Sequence, residues 1–180
     1  MTAGKNIVYY FLATVIFFLL KFAFTFTTVN DLIFLLNPTD GLVELVTGSQ
    51  SVYLSGSGYY HEKFNILIDK SCLGFNFWLL CFLMLTFLTL QYFNRHLHKA
   101  LIIPASLFFA YLATLFVNAS RIAASILAQK MANNFLPERP HFILHESVGV
   151  ITNLIFLIAI YYLTERLLIN KLPHAKPAKP

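Results

Sequence analysis

The sequence predicts an all-α polytopic membrane protein: about four transmembrane helices plus a small extracytoplasmic lobe with a short interfacial helix and a hairpin. Three observations predict it. Charged residues make up 12% of the 180-residue chain and hydrophobic ones 58%, whereas soluble domains carry about 25% charged residues. Apolar runs of about 20 residues, the length needed to cross a bilayer, recur along the chain. The basic residues cluster beside those runs, so the net charge of +5 marks cytoplasmic flanks of membrane spans and not a nucleic-acid surface.

Residues 7–26 form the first span. No small-residue cleavage site follows, so it reads as a retained span and not as a removed signal peptide. Lys21, near its far end, reads as a side chain snorkelling to the interface. Residues 29–70 are the least apolar part of the chain. A short amphipathic turn over 31–36 is broken by Asn37-Pro38-Thr39-Asp40-Gly41. Thr39 or Asp40 then caps a helix through 42–46, with Glu44 in its first turn. That helix is too short to span and suits an interfacial or re-entrant position. Val52-Tyr53-Leu54 and Tyr59-Tyr60, around Ser55-Gly56-Ser57-Gly58, resemble a hairpin with a glycine turn, and 64–68 reads as another strand.

The second span runs from Cys72 to about Phe93, followed by a basic loop over 94–99. The third covers 100–117, with Pro104 near its start, where a missing N–H is tolerated. Asn118-Ala119-Ser120-Arg121 closes it. Residues 122–135 continue as a helix-like segment that Leu136-Pro137-Glu138-Arg139-Pro140 stops. The fourth span runs from His141 to about Leu163. One membrane-embedded domain thus covers 1–166, with the lobe at about 28–71, and 167–180 reads as a basic, disordered cytoplasmic tail. The loop 94–99 carries Arg95 and Lys99 and no acid, and the tail carries Lys171, Lys176 and Lys179. The positive-inside rule therefore places both termini and this loop in the cytoplasm, and the lobe and 118–142 outside.

This topology gathers three chemistry-bearing residues near one membrane face. Cys72 opens the second span, where a helix N-terminus favours thiolate over thiol; alternatively it is a small packing residue, which is the reading for mid-span Cys81. On one helix the two cysteines lie about 13 Å apart along the axis, too far for a disulfide. Arg121 shares a helical face with Asn118 and Ser125. A polar stripe in so apolar a segment turns toward protein more often than toward lipid, and the fixed donors of arginine suit a developing oxyanion. The competing role for Arg121 is a headgroup anchor. His145, about one turn into the fourth span, shares a face with Gly149 and Asn153. Glycine there lets another helix approach, and an imidazole is the acid–base partner that thiolate chemistry uses. A metal site on His141 and His145, with His61 recruited, is a rival, although the His-Glu-x-x-His order is absent. Gly56-Ser57-Gly58 reads as a turn and not as a serine-protease motif.

The set Ser71-Cys72-Leu73-Gly74, Asn118-x-x-Arg121 and His145-x-x-x-Gly149 resembles the exosortase/archaeosortase family of membrane cysteine transpeptidases. The preceding Asn37-Pro38-Thr39, Leu42-Val43, Thr47-Gly48 and Gly58-Tyr59 look most like its exosortase K branch. Leu73 stands where the family often has a small residue, and the additional spans of longer members are absent. The resemblance implies that Cys72 is the nucleophile, that Arg121 and His145 complete the site, and that Asn118, Gly74 and Gly149 support it or bind substrate. It implies no cofactor and no metal. The implied substrate is a secreted protein with a C-terminal sorting signal: a short motif, an apolar helix and a basic end. The tail would be cleaved through a thioester, then the protein transferred to an envelope acceptor or released. The implied location is the cytoplasmic (inner) membrane of a bacterium, with the active site facing outward among membrane lipid. The competing class is a small non-enzymatic membrane scaffold or transport subunit; an intramembrane metalloprotease using His141 and His145 ranks behind it.

Overall fold

A computed structural model describes residues 3–93, 96–135 and 141–171, with side chains for 6–93, 96–126 and 149–170. The elements in chain order are α1 (Ala3–Phe26), α2 (Ile33–Thr47), β1 (Val52–Leu54), β2 (Gly58–His61), β3 (Ile66–Ile68), α3 (Phe75–Leu90), α4 (His96–Phe135) and α5 (His141–Lys171), with short 3₁₀ turns between some of them. Four segments, Asn6–Phe26, Lys70–Leu90, His96–Ile126 and Gly149–Asn170, are long and apolar enough to cross a membrane. The predicted class is the one observed: long apolar helices and a small lobe of one short helix and a three-stranded sheet. Along α1, Ile7, Val8, Phe11, Phe18, Leu19 and Phe22 are exposed. In water each would forgo about 1.5–3 kcal/mol of burial, and hydrocarbon removes that cost.

The chain forms two compact units. One comprises Met1–Phe26, Phe75–Ala113 and Leu157–Pro180. In it α1 packs on α3: Phe24 stacks on Phe75 with centroids 4.1 Å apart, and Tyr10 meets Phe87 edge-on at 4.9 Å. Asn6 donates from Nδ2 to the Leu90 carbonyl at 3.1 Å. Lys21 donates to Oδ1 of Asn76, so the fold supplies a partner for the ammonium expected to snorkel. α3 is apolar all round, as a helix buried on several sides must be, and Cys81, Leu79 and Phe82 are fully buried in it. Trp78 donates from Nε1 to the Leu107 carbonyl at 3.0 Å, which ties α3 to α4.

The second unit comprises Thr27–Gly74 and Thr114–Phe156. Here α2 is one helix of 15 residues that runs through Pro38, where two pieces were expected. Proline inside a helix costs about 3 kcal/mol. The buried positions Leu35, Leu36, Thr39, Asp40 and Val43 recur at helical spacing, so breaking the helix would cost that shared buried face. Asp40 is therefore not a cap. The sheet is antiparallel in the order β1-β2-β3, with Val52 opposite Tyr60 and Tyr60 opposite Leu67. Gly58 has φ +124°, and a Cβ on it would lie 2.2 Å from the Ile68 carbonyl oxygen. Buried His61, at the end of β2, joins sheet to helix: Nε2 lies 2.9 Å from Asp40 Oδ1 and Nδ1 3.3 Å from Ser49 Oγ. Ser51 completes the join, donating from Oγ to Asp40 and from its backbone N–H to Glu44 Oε1 at 2.6 Å.

Five expected boundaries move. α3 begins at Phe75 and not at Cys72, and it ends at Leu90. Residues 96–99 are the first turn of α4 and not loop. α4 runs for 40 residues straight through 118–121, which was expected to close the span. That tetrad holds no glycine or proline, and Ser120 returns its hydroxyl to the Phe116 carbonyl one turn back at 2.9 Å, so nothing terminates the ladder. α5 continues to Lys171, so 167–171 are helix and not tail. Residues 94–95, 136–140 and 172–180, with the proline stop and the rest of the tail, lie outside the described residues.

Candidate active site

β3 delivers the chain to Cys72 through a 3₁₀ turn, Lys70–Leu73. Asp69 caps that turn, accepting at Oδ1 from the Ser71 N–H at 2.9 Å and from the Ser71 hydroxyl at 2.6 Å. The Cys72 N–H donates to the Asp69 carbonyl at 3.1 Å. Gly74 then takes φ +61°, a left-handed conformation that only glycine adopts freely, and turns the chain into α3. Cys72 thus precedes the helix instead of opening it. The field of a helix end fades within a turn, so the thiol does not sit in the helix-dipole position expected for it. The thiol is buried, with Sγ 3.8 Å from Ser71 Oγ and 4.0 Å from the Leu67 carbonyl oxygen.

Arg121 is 9% exposed in the middle of α4. Its Nη2 donates to the carbonyl of Cys72 at 2.6 Å. The two glycines singled out in the sequence each lie against one of the polar residues singled out with them. A Cβ on Gly149 would lie 3.2 Å from Cδ of Arg121, and a Cβ on Gly74 would lie 2.4 Å from Oδ1 of Asn118. Cys72, Gly74, Asn118, Arg121 and Gly149 therefore converge. His145 lies on α5 one turn before Gly149; its side chain, and that of His141, lie outside the described residues.

Four polar atoms on α4 and α5 are buried without a hydrogen-bond partner: Asn118 Nδ2, Arg121 Nε, Ser125 Oγ and Asn153 Oδ1; Thr39 Oγ1, on α2 of the same unit, is a fifth. Such groups cost about 1–3 kcal/mol each when left unmade, so each calls for an explanation, a catalytic role or a bound molecule among them. Asn153 was read in the sequence only as sharing a face with His145; the signal that includes it is its spacing of one turn from Gly149. The contact of Leu67 with the thiol had no sequence signal, because it depends on how β3 turns into the 3₁₀ segment.

His61, which the metal alternative would recruit, has both ring nitrogens engaged by Asp40 and Ser49. Among the described residues no group of three or more His, Cys, Asp or Glu could hold a metal ion. A cavity of about 610 Å³ lies in the other unit, lined by residues such as Leu85, Ile102, Phe109 and Leu167, and it carries no titratable side chain. The chemistry of the described residues therefore centres on a buried thiol, a guanidinium anchored to the thiol residue's own backbone with its buried Nε–H unpaired, and a carboxamide N–H beside them. That is a donor set suited to negative charge forming on oxygen next to sulfur. Compared with family models, curated proteins and solved structures, the chain matches none of them.

Proposed function

We propose that the protein is a membrane-embedded cysteine transpeptidase or protease of the exosortase kind, cleaving the C-terminal sorting tail of secreted proteins at the outer face of the cytoplasmic membrane. The single observation that carries this is the bond from Arg121 to the Cys72 carbonyl, which brings a buried guanidinium to a buried thiol. The outward orientation rests on the basic residues Arg95 and Lys99 and the basic C-terminal segment.

The thiolate of Cys72 attacks the scissile carbonyl, forming a C–S bond and a tetrahedral oxyanion. Arg121 stabilises that oxygen through its unpaired Nε–H. His145 takes the thiol proton and returns it to the leaving amine as the C–N bond breaks. The tail departs and a thioester remains. An amine or hydroxyl of an envelope component, or water, resolves it and restores the thiol. The test is a membrane proteome of the host carrying wild-type protein against Cys72→Ala, compared for C-terminal peptides. Tail peptides retained only in the variant support the proposal. Unchanged processing, with both proteins expressed and folded, sinks it in favour of a scaffold.

A further inference from the structure

Two of the unpartnered buried atoms on α4 and α5, Asn118 Nδ2 and Asn153 Oδ1, are a donor and an acceptor. Asn118 is 1% exposed. Two contacts within this unit fix the register of α4 against α5: Arg121 lies against Gly149, and Phe116 meets Phe156 edge-on at 5.8 Å. The helices therefore run antiparallel there, and residue 118 falls level with 152–154. Asn153 is one turn from Gly149, on the face that carries Gly149 toward Arg121. The two carboxamides thus sit at one level, about one helical turn along α4 from Arg121.

A donor and an acceptor at one level are complementary to one peptide unit, which offers a C=O and an N–H. The spacing suits the peptide bond next to the one at Cys72, because consecutive Cα atoms are about 3.8 Å apart. A tail helix that begins at this point has first-turn N–H groups with no partner of their own. In hydrocarbon such groups must be satisfied by protein. An ester carbonyl of a lipid would use Asn118 but offers nothing to Asn153.

We infer that Asn118 and Asn153 form a main-chain clamp for the peptide unit on the leaving side of the scissile bond, Asn118 donating to its carbonyl and Asn153 accepting from its N–H. The clamp rests on Cys72 being the nucleophile proposed above. It confines the site to peptides that enter the membrane non-helically at that residue, whatever their side chains.

The test uses the full chain in nanodiscs and two probes. One is a peptidyl difluoroketone, C(=O)–CF2–CH2–C(=O)–NH–octyl, whose two carbons stand for the scissile nitrogen and the next Cα and so place its amide at the following peptide unit. The other is the matching octyl ester, in which oxygen replaces that N–H. In both, the Cys72 thiol adds to the ketone; a C–S bond forms, the C=O π bond opens, and the thiol proton passes to the ketone oxygen. Intact mass against Cys72→Ala verifies the adduct, and dissociation constants are compared. Asn153→Leu is expected to lower the amide-over-ester preference about tenfold or more, the effect of a buried donor left unpaired. Asn153→Asp keeps the acceptor and is expected to keep the preference, which guards against misfolding of the leucine variant. Asn118→Leu is expected to weaken both probes alike. A preference equal in wild type and Asn153→Leu overturns the clamp and leaves the nucleophile standing. No Cys72-dependent binding of either probe overturns both.

Discussion

Nη2 of Arg121 donates to the backbone carbonyl of Cys72 at 2.6 Å. The bond fixes where the guanidinium plane lies before any substrate arrives. Gly149 lets the arginine stem pass α5 at van der Waals distance. The Nε–H of the same guanidinium is buried and unpaired, so a reacting oxygen that reaches it displaces no existing bond. Preorganisation of this kind is what makes a donor effective in a transition state.

Arg121→Lys is expected to lower Cys72-dependent tail cleavage by about 10²-fold, the effect of removing one oxyanion donor, with expression retained. A lysine is a point charge on a flexible stem and cannot hold the Cys72 carbonyl and a second oxygen in one plane. A cleavage time course on membranes checks this. A rate within a few-fold of wild type would mean that Arg121 only anchors helices.

Gly74→Ala is expected to damage both stability and turnover. The left-handed conformation at φ +61° costs a residue with a Cβ about 1–2 kcal/mol, and the new atom would lie 2.4 Å from Asn118 Oδ1. Gly149→Ala meets only the flexible arginine stem at 3.2 Å and is expected to be mild, whereas Gly149→Val is not. Thermal unfolding in detergent, followed by the cleavage assay, distinguishes the two positions; equal effects at 74 and 149 would refute the ordering.

The apolar spans were legible because a bilayer demands long apolar runs, and the hairpin because glycine at 56 and 58 marks its turn. Other features were not. Pro38 signalled a break, but the helical spacing of Leu35, Leu36, Thr39, Asp40 and Val43 shows one helix holding through it. The polar tetrad at 118–121 looked like an end, yet only a glycine or proline, or a competing cap, would have made it one. Cys72 was placed on a helix because the left-handed turn at Gly74 is a backbone property that composition does not reveal. The positive-inside rule leads to the expectation that Cys72 and Arg121 lie near one membrane face; it could not say that the guanidinium would take the cysteine's carbonyl. Asp40 and His61, 21 residues apart, meet only because β2 packs on α2.

That meeting makes a prediction for the lobe. His61→Leu leaves the buried Asp40 carboxylate without its imidazole partner and is expected to destabilise the lobe by about 3 kcal/mol, as removal of one member of a buried pair does. The double variant His61→Leu, Asp40→Leu removes both groups and is expected to recover much of that loss. Native-state hydrogen exchange over residues 33–68 measures each. Additive losses in the double variant would show that the two side chains do not act as a pair.

Acid should loosen the same lobe through different groups. The backbone N–H and the hydroxyl of Ser51 hold the Glu44 carboxyl below its ordinary value of 4.5, and those of Thr28 hold Asp31 below 3.8. A carboxyl held down in the folded chain contributes stability that is complete above its ordinary value and disappears as pH falls through the lowered one. These groups therefore leave the lobe unchanged from neutral pH down to about 5, and their contribution drains away below 4.5. Exchange at the Ser51 amide, corrected for the chemistry of exchange itself, is expected to accelerate in that acid window. Glu44→Gln, which cannot ionise, is expected to exchange faster at neutral pH and to show a flatter acid profile. If wild type and Glu44→Gln traced the same curve, the carboxylate would hold nothing at Ser51.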